Sequence, residues 1–229
     1  MSNNKHTDIL VIGSGPGGYA AAFRAADLGR EVTLVDKDPT LGGVCLNRGC
    51  IPSKTLLHIA KVLEEAESLK KMGVTFTKPT IDIDLVRDWK NKVVSQLSGG
   101  ISQMAKARKV NTIQAEATFL SDNEVQLKSE SNIEKITFDN CIIASGSSST
   151  IIPGIPFDNE NVLNSKTALD LEKIPKSLLV IGGGYIGLEM GTVFSALGSS
   201  VSLAEFLPNL LPGADPDLVK PLARKLKKE

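Results

Sequence analysis

The chain has 229 residues with 26 basic and 26 acidic side chains, a balance that leaves no basic footprint for nucleic acid. Its length suits one large domain or two small ones, each able to bury a core. The N-terminus MSNNKHTDIL has no basic-then-apolar leader pattern, and no apolar run approaches the ~20 residues of a membrane helix. The expectation is a cytoplasmic protein with neither nucleic acid nor membrane among its partners.

The first element is DILVIGSGPGGYAAAFRAADLGREVTLVD. A short apolar strand, Ile9 to Ile12, runs into glycines and then into an alanine-rich helix from Gly17 to Leu28. A second strand, Glu31 to Val35, ends at Asp36. Pro52 opens a helix, since its missing N–H has no partner there to lose, with Leu56, Ala60, Leu63 and Ala66 on one stripe. A further helix carries Leu85, Trp89, Val93, Leu97 and Ile101 at four-residue intervals, and both stripes are expected to face a core. Val110 to Phe138 is rich in β-formers with polar turns at SDNE and KSESN, which predicts a small antiparallel sheet. CIIASGSSS then reads as a buried strand ending in small residues. The proline- and glycine-rich IIPGIPFDNENV marks a domain boundary, giving domains at 1–150 and 151–229.

The opening pattern returns as SLLVIGGGYIGLEMGTVFSALGSSVSLAE. A strand from Leu178 to Ile181 leads to a helix from Tyr185 to Leu197, and a second strand ends at Glu205. The acid stands at the same distance beyond the middle glycine in both copies, Gly15 to Asp36 and Gly184 to Glu205. Gly13, Gly15 and Gly18 fit G-x-G-x-x-G, as do Gly182, Gly184 and Gly187. Such glycines allow a tight turn, close backbone approach to a pyrophosphate, and close helix-to-strand packing. The pyrophosphate sits at the amide-rich, positive end of the helix. A glycine-rich turn alone is weak evidence, but here strand, helix and acid are all in register. The fold class is therefore α/β: a Rossmann-like dinucleotide-binding domain, with a parallel sheet and a small antiparallel meander, then a second, incomplete Rossmann-like domain. The acids at positions 36 and 205 are placed for ribose hydroxyls, and at 205 this favours NAD over NADP.

Two of the three cysteines fall in GGVCLNRGCIPSK, at Cys45 and Cys50. In a regular helix, residues five apart rise about 7.5 Å, whereas a disulfide needs Cα atoms roughly 4.4–6.8 Å apart. A bridge therefore requires irregular chain between them, which Gly42, Gly43 and Gly49 permit. Thiols near a helix N-terminus are the nucleophilic kind. Three readings stand: a reducible disulfide beside a dinucleotide site, two inert thiols, or half of a zinc site. Zinc would need further ligands, and only His6, His58 and Cys141 remain, none at a familiar spacing. No metal is expected.

Together GSGPGG, GGVCLNRGCIPSK and GGGYIGLE make the whole chain resemble the flavin-dependent pyridine nucleotide-disulfide oxidoreductases. CLNRGCIPSK and IDIDLVRDWKNKVVSQLSGGISQMAKARKV are similar to the branch that oxidises dihydrolipoamide in 2-oxoacid dehydrogenase complexes, more than to glutathione or mercuric reductase. The resemblance implies that Gly13, Gly15, Gly18 and Asp36 bind the ADP half of FAD, with an aspartate in place of the more usual glutamate. It implies a Cys45–Cys50 disulfide, with Cys50 against the isoalloxazine ring and Cys45 exchanging with the lipoyl group. Lys54 would sit near flavin N5, paired with Glu189. Backbone at Ala117 would meet the adenine, Gly146 would close over the flavin, and Gly182, Gly184, Gly187 and Glu205 would hold NAD. The implied partners are the lipoyl domain of a 2-oxoacid dehydrogenase acyltransferase and a second copy of the chain. Arg48 departs from a common valine, and Ser148-Ser149 from a common Arg-Pro.

Family members run to about twice this length. The expectation is a chain without the C-terminal dimerisation domain and without the histidine base that domain supplies, a role assigned to neither His6 nor His58. Two alternatives stand beside a lipoamide-linked oxidoreductase: an FAD-binding fragment without turnover, and a related disulfide or mercuric reductase.

Overall fold

The computed structural model describes residues 5–130 and 132–228. By its internal contacts the chain divides into two compact units, Met1–Ile51 with Lys92–Thr150, and Pro52–Asn91 with Ile151–Glu229.

The first unit is built on strand β1 (Lys5–Ile12), whose successive side chains point to opposite faces. Leu10 enters one apolar cluster with Val125, Leu127, Ile136 and Phe138. Val11 enters another, with Ala22, Phe23 and Leu34. A strand covered on both faces reads as a continuous apolar run, as ILVI does. Helix α1 (Pro16–Asp27) begins on an extended Gly15 with proline in its first turn. It packs back on β1 and on β2 (Val32–Asp36), which is buried along its length except at the terminal acid. Two helices come next, α2 (Gly43–Arg48) and α3 (Cys50–Ser68), and then the long α4 (Ile83–Ala107). The unit closes with β3 (Asn111–Gln114), β4 (Glu116–Ser121), β5 (Glu124–Lys128) and β6 (Ile133–Ile143).

These six strands form one sheet in the order β3-β2-β1-β6-β5-β4. The small antiparallel sheet expected over Val110–Phe138 is an extension of the parallel one, and its first strand belongs to the parallel part. β3 pairs parallel with β2, while β4 and β5 form an antiparallel extension. β6 joins the two regions as an 11-residue strand. One edge pairs antiparallel with β5 and the other parallel with β1, from Lys5↔Ile136 to Ile12↔Ile143. Turn chemistry marks where strands end, but it does not reveal which neighbour takes each hydrogen-bonding edge.

Two helix readings also change. α3 starts at Cys50, two residues before Pro52, because proline anywhere in the first turn forfeits only an amide without an intrahelical partner. On α4 the expected core stripe is largely outside, with Leu85 66% and Trp89 46% exposed. Four-residue steps drift about 40° each around a helix of 3.6 residues per turn, so five such positions cannot hold one face. The inner face instead carries Ile83, Val86, Lys90, Ser98, Ile101 and Ala105.

In the second unit, α5 (Ser165–Asp170) is closed at its start by an Asn164–Thr167 capping box. Its last carbonyls are met by cations from α4: Lys90 Nζ donates to Leu169 O (2.5 Å), and Arg87 to Leu171 O (2.8 Å) and Glu172 O (3.0 Å). Burial pushes the Lys90 ammonium below the usual lysine range, against the opposing pull of Asp170. β7 (Ser177–Ile181), α6 (Tyr185–Ala196) and β8 (Ser200–Ala204) then repeat the opening strand–helix–strand unit, with β7 and β8 paired parallel. α7 (Pro216–Leu226) ends the described chain. Leu56 of α3 packs with Leu169, Leu171, Met190, Val193 and Phe194 in this unit's core. No helix among the described residues is long and apolar enough to cross a membrane.

Leu10→Ala should cost about 2–5 kcal/mol, as for a fully buried leucine that leaves a cavity, whereas Leu85→Ala on the exposed stripe should stay within about 0.5 kcal/mol. Denaturant unfolding of the two variants checks both values.

Candidate functional site

The first glycine turn is fixed by the strands on either side. Gly13 N donates to Val35 O (2.7 Å) and Ala144 N to Ile12 O (2.7 Å), so the turn leaves the sheet between β2 and the end of β6. Gly13 has φ +101°, and a side chain there would fall on the Ala144 carbonyl. A side chain on Gly18 would fall on the Gly13 carbonyl, so α1 can approach the strand this closely only without one. Gly15 lies at the N-terminus of α1, where no side chain caps the helix and no acid stands in the first turn. That amide-rich end suits a pyrophosphate.

Asp36, at the tip of β2, reaches back to this turn. Its Oδ2 accepts from Ser14 N and Ser14 Oγ, both at 2.6 Å, and its Oδ1 accepts from Asp38 N (2.8 Å). Oδ2 thus spends both of its lone pairs on Ser14, while Oδ1 accepts once and keeps a second lone pair for a ribose hydroxyl. The Ala115 amide donates to Asp36 O (2.9 Å), which anchors the start of β4 here and sets Ala117 two residues further on. Gly146 lies just beyond β6 with φ +71° and no atom within 4 Å of where a side chain would stand.

The cysteine loop is built onto the same turn. Gly42 N donates to Ser14 O (2.9 Å), and Gly43, with φ +60°, lies so close that a Cβ on it would stand 2.6 Å from the Gly15 Cα. Cys45 lies in α2 and Cys50 is the first residue of α3; the irregular chain expected between them is confined to Gly49. A Cβ on Gly49 would stand 2.8 Å from the Val44 carbonyl, so a glycine is what lets the two helices meet. Cys45 and Cys50 are not bridged in this structure. Cys141 is packed against the core on β6, and burial pushes its thiol up, which keeps it protonated and unreactive. Arg48 pairs with Asp38 (2.5 Å), tying α2 to the loop just beyond Asp36.

The second turn repeats these bonds. Gly182 N donates to Ala204 O (2.8 Å), as Gly13 does to Val35. Glu205 accepts from Gly183 N (2.5 Å) and Leu207 N (2.7 Å), as Asp36 does from Ser14 and Asp38. The amides of Leu207 and Gly183 together hold the Glu205 carboxyl below the usual range. Gly184 starts α6 as Gly15 starts α1, and Gly187 approaches Gly182 O as Gly18 approaches Gly13 O. The covering differs: Leu211 N donates to Gly183 O (3.0 Å), and Leu210 packs over Gly183.

Lys54 and Glu189 come together in the second unit, with Nζ 3.6 Å from Oε1. The other carboxylate oxygen accepts from the Ser53 hydroxyl, a group that the sequence motifs do not single out. The same holds for Ser14 and Asp38. Ser14 and Gly43 stand inside the glycine and cysteine motifs, and only the folded chain reveals their contacts. The grouping of three metal-ligating side chains among the described residues, His6, Asp8 and Asp139, lies on β1 and β6 and includes neither Cys45 nor Cys50.

The sequence profile of the pyridine nucleotide-disulphide oxidoreductases matches residues 7–229. The chain belongs to that family. Curated relatives include dihydrolipoyl dehydrogenase of Vibrio cholerae, 47% identical over 99% of this chain and 48% of its own length. The Bacillus subtilis enzyme of that name is 46% identical over 97% of this chain and 47% of its own. Among solved structures, the Cu(II) complex of the HOCl-induced flavoprotein disulfide reductase RclA from Escherichia coli is similar with a TM-score of 0.82. Its identity is 29%, over 98% of this chain and 48% of that one. The chain thus spans about half the length of the relatives it matches. The family uses FAD and NAD(H), and the first turn fits FAD: an uncapped helix end, an acid at the strand tip, and backbone brought close by glycine.

Gly43→Ala should release FAD, read as flavin absorbance remaining after gel filtration. Gly29→Ala, also at positive φ but with open space around it, should lose about 1–2 kcal/mol and keep its flavin. Glu205 has a depressed folded-state pKa, so its contribution is present above the ordinary carboxylate pKa and lost as pH falls through the lowered value. The gap in thermal midpoint between wild type and Glu205→Gln should therefore be widest near neutrality and close below about pH 4.

Proposed function

We propose that this chain is the flavin- and disulfide-bearing portion of a dihydrolipoyl dehydrogenase, acting on a lipoyl domain of a 2-oxoacid dehydrogenase complex. The observation that carries this reading is the seat of the cysteine loop on the dinucleotide turn. Gly43 lies against Gly15 and Gly42 bonds to Ser14, so the C-x4-C segment is held where FAD would lie. The identity of 46–47% to dihydrolipoyl dehydrogenases, against 29% to a flavoprotein disulfide reductase, favours a lipoyl substrate over another disulfide or mercury.

In the oxidised state Cys45 and Cys50 form a disulfide. A dihydrolipoyl thiolate attacks Cys45 sulfur; a mixed disulfide forms, the Cys45–Cys50 bond breaks, and Cys50 leaves as thiolate. The second lipoyl thiolate then closes the lipoyl disulfide and expels Cys45. The dithiol has lost two electrons and two protons, and the cysteine pair holds the electrons. Bound FAD supplies the two-electron relay from this pair to NAD⁺. Gly13, Gly15, Gly18 and Asp36 would hold the ADP half of FAD, with the Ala117 backbone available to the adenine and Gly146 to the flavin. Cys50 at the start of α3 receives the positive end of that helix. Lys54 is four residues on, hence on the same helix face, and with Glu189 it would supply a cation beside the flavin. The 151–229 region opens the NAD-binding domain, with Gly182, Gly184, Gly187 and Glu205 for NAD, and the working enzyme is a homodimer.

The visible spectrum of the protein purified with FAD should carry flavin bands and gain a long-wavelength band on adding dihydrolipoamide. A colourless protein would overturn the reading. Cys45→Ser should keep the flavin and lose all reduction by the dithiol; loss of flavin in that variant would remove the cysteine pair from the site.

A further inference from the structure

The Lys54–Glu189 pair is an ion pair between helices, and an exposed lysine on a flexible stem is poorly placed by its own packing, since the Lys54 side chain is 64% exposed. The rigid part lies beside it. Ser53 is 4% exposed, buried in the first turn of α3, near Leu56, whose cluster with Met190, Val193 and Phe194 packs α3 on α6. Glu189 projects from α6 between two partners: Ser53 Oγ donates to Oε2, and Lys54 Nζ faces Oε1 at 3.6 Å. A carboxylate held at one oxygen by a buried hydroxyl has fewer rotamers open to it, so the position of its second oxygen is restrained.

We propose that Ser53 is a positioning residue. It orients Glu189, and Glu189 in turn fixes where the Lys54 ammonium stands. Ser53 need touch neither substrate nor flavin; its effect passes entirely through the carboxylate. Building on the flavoprotein reading above, this makes the serine of Ile-Pro-Ser-Lys the anchor of the lysine next to it. The adjacent pair divides the work, a buried donor for orientation and an exposed cation for charge.

Because the serine acts through Glu189, removing it should matter only while Glu189 is present. The test uses wild type, Ser53→Ala, Glu189→Gln and the double variant. Alanine suits a helix and is smaller than serine, so folding is not at risk. The first readout needs no flavin: the rate at which acetic anhydride labels Lys54 in the flavin-free chain, followed by mass spectrometry. An exposed ion pair is worth about 0.2–1 kcal/mol, so Ser53→Ala and Glu189→Gln should each speed labelling by about 1.5- to 5-fold, with the double variant no faster than Glu189→Gln alone. The second readout is the midpoint potential of bound FAD, which should move in the same direction in both single variants and no further in the double one. Multiplying effects in the double variant, or unchanged labelling in Ser53→Ala, would overturn the positioning role. Coupled labelling with no flavin bound by wild type would keep the Ser53–Glu189–Lys54 device and discard the flavoprotein reading. Coupled labelling with potentials that do not move would overturn its action on the flavin.

Discussion

The bond on which the rest depends runs from the acid at a strand tip to the amide of a glycine turn beside it. A turn that must bring backbone close to a pyrophosphate can carry few side chains, so nothing within it restrains its shape. Asp36 supplies that restraint from outside, accepting from Ser14 N and Oγ, while the neighbouring strand holds Gly13 through Val35 O. Once the turn is set, α1 starts in the right place, and Ser14 O is presented to Gly42, where the cysteine loop begins. The acid is thus structural first; the lone pair left on Oδ1 is the one a ribose would use.

The two turns separate the needs of the scaffold from the needs of each ligand. Strand carbonyl to first glycine, acid to middle residue, and helix start on the second glycine occur in both copies. These are requirements of the turn. The covering segment differs. In the first copy it is Gly43, leading into helices that carry two cysteines; in the second it is the Leu210–Leu211 loop, which brings no redox group. The two copies therefore differ in chemistry through the segment downstream of the acid, while the turn itself is common to both.

The glycine turns are legible in the sequence because every constraint on them is local or one strand away, and the equal spacing of Asp36 and Glu205 from their glycines displays the duplication directly. The α4 stripe misleads because a four-residue interval resembles a helical face over two steps and drifts off it over four; the buried Lys90, held by Leu169 O, gives no apolar signal at all. β6 reads as two pieces because its first part pairs with β5 on one edge and the rest with β1 on the other, a fact of topology that no window of sequence contains. Ser53 is hidden for the same reason: its partner Glu189 lies in another helix, and a serine beside a lysine in a first turn reads as solvated polar surface until burial is known.

Helix α3 shows how one short segment can serve several demands. Its first residue is Cys50, so a sulfur stands at the end to which the aligned peptide dipoles lend positive character. Pro52 costs the helix nothing in that turn and fixes its φ in advance. Ser53 and Leu56 point into the core of the second unit, which sets the rotation of the helix about its axis. With that rotation fixed, the residue between them, Lys54, has no choice but to face outward on the side it shares with Cys50, four residues earlier. The apolar packing of Leu56 and the hydrogen bond of Ser53 therefore determine the azimuth of two functional groups that they do not touch. The order of serine and lysine in CIPSK follows from this: exchanging them would bury the charge and expose the hydroxyl.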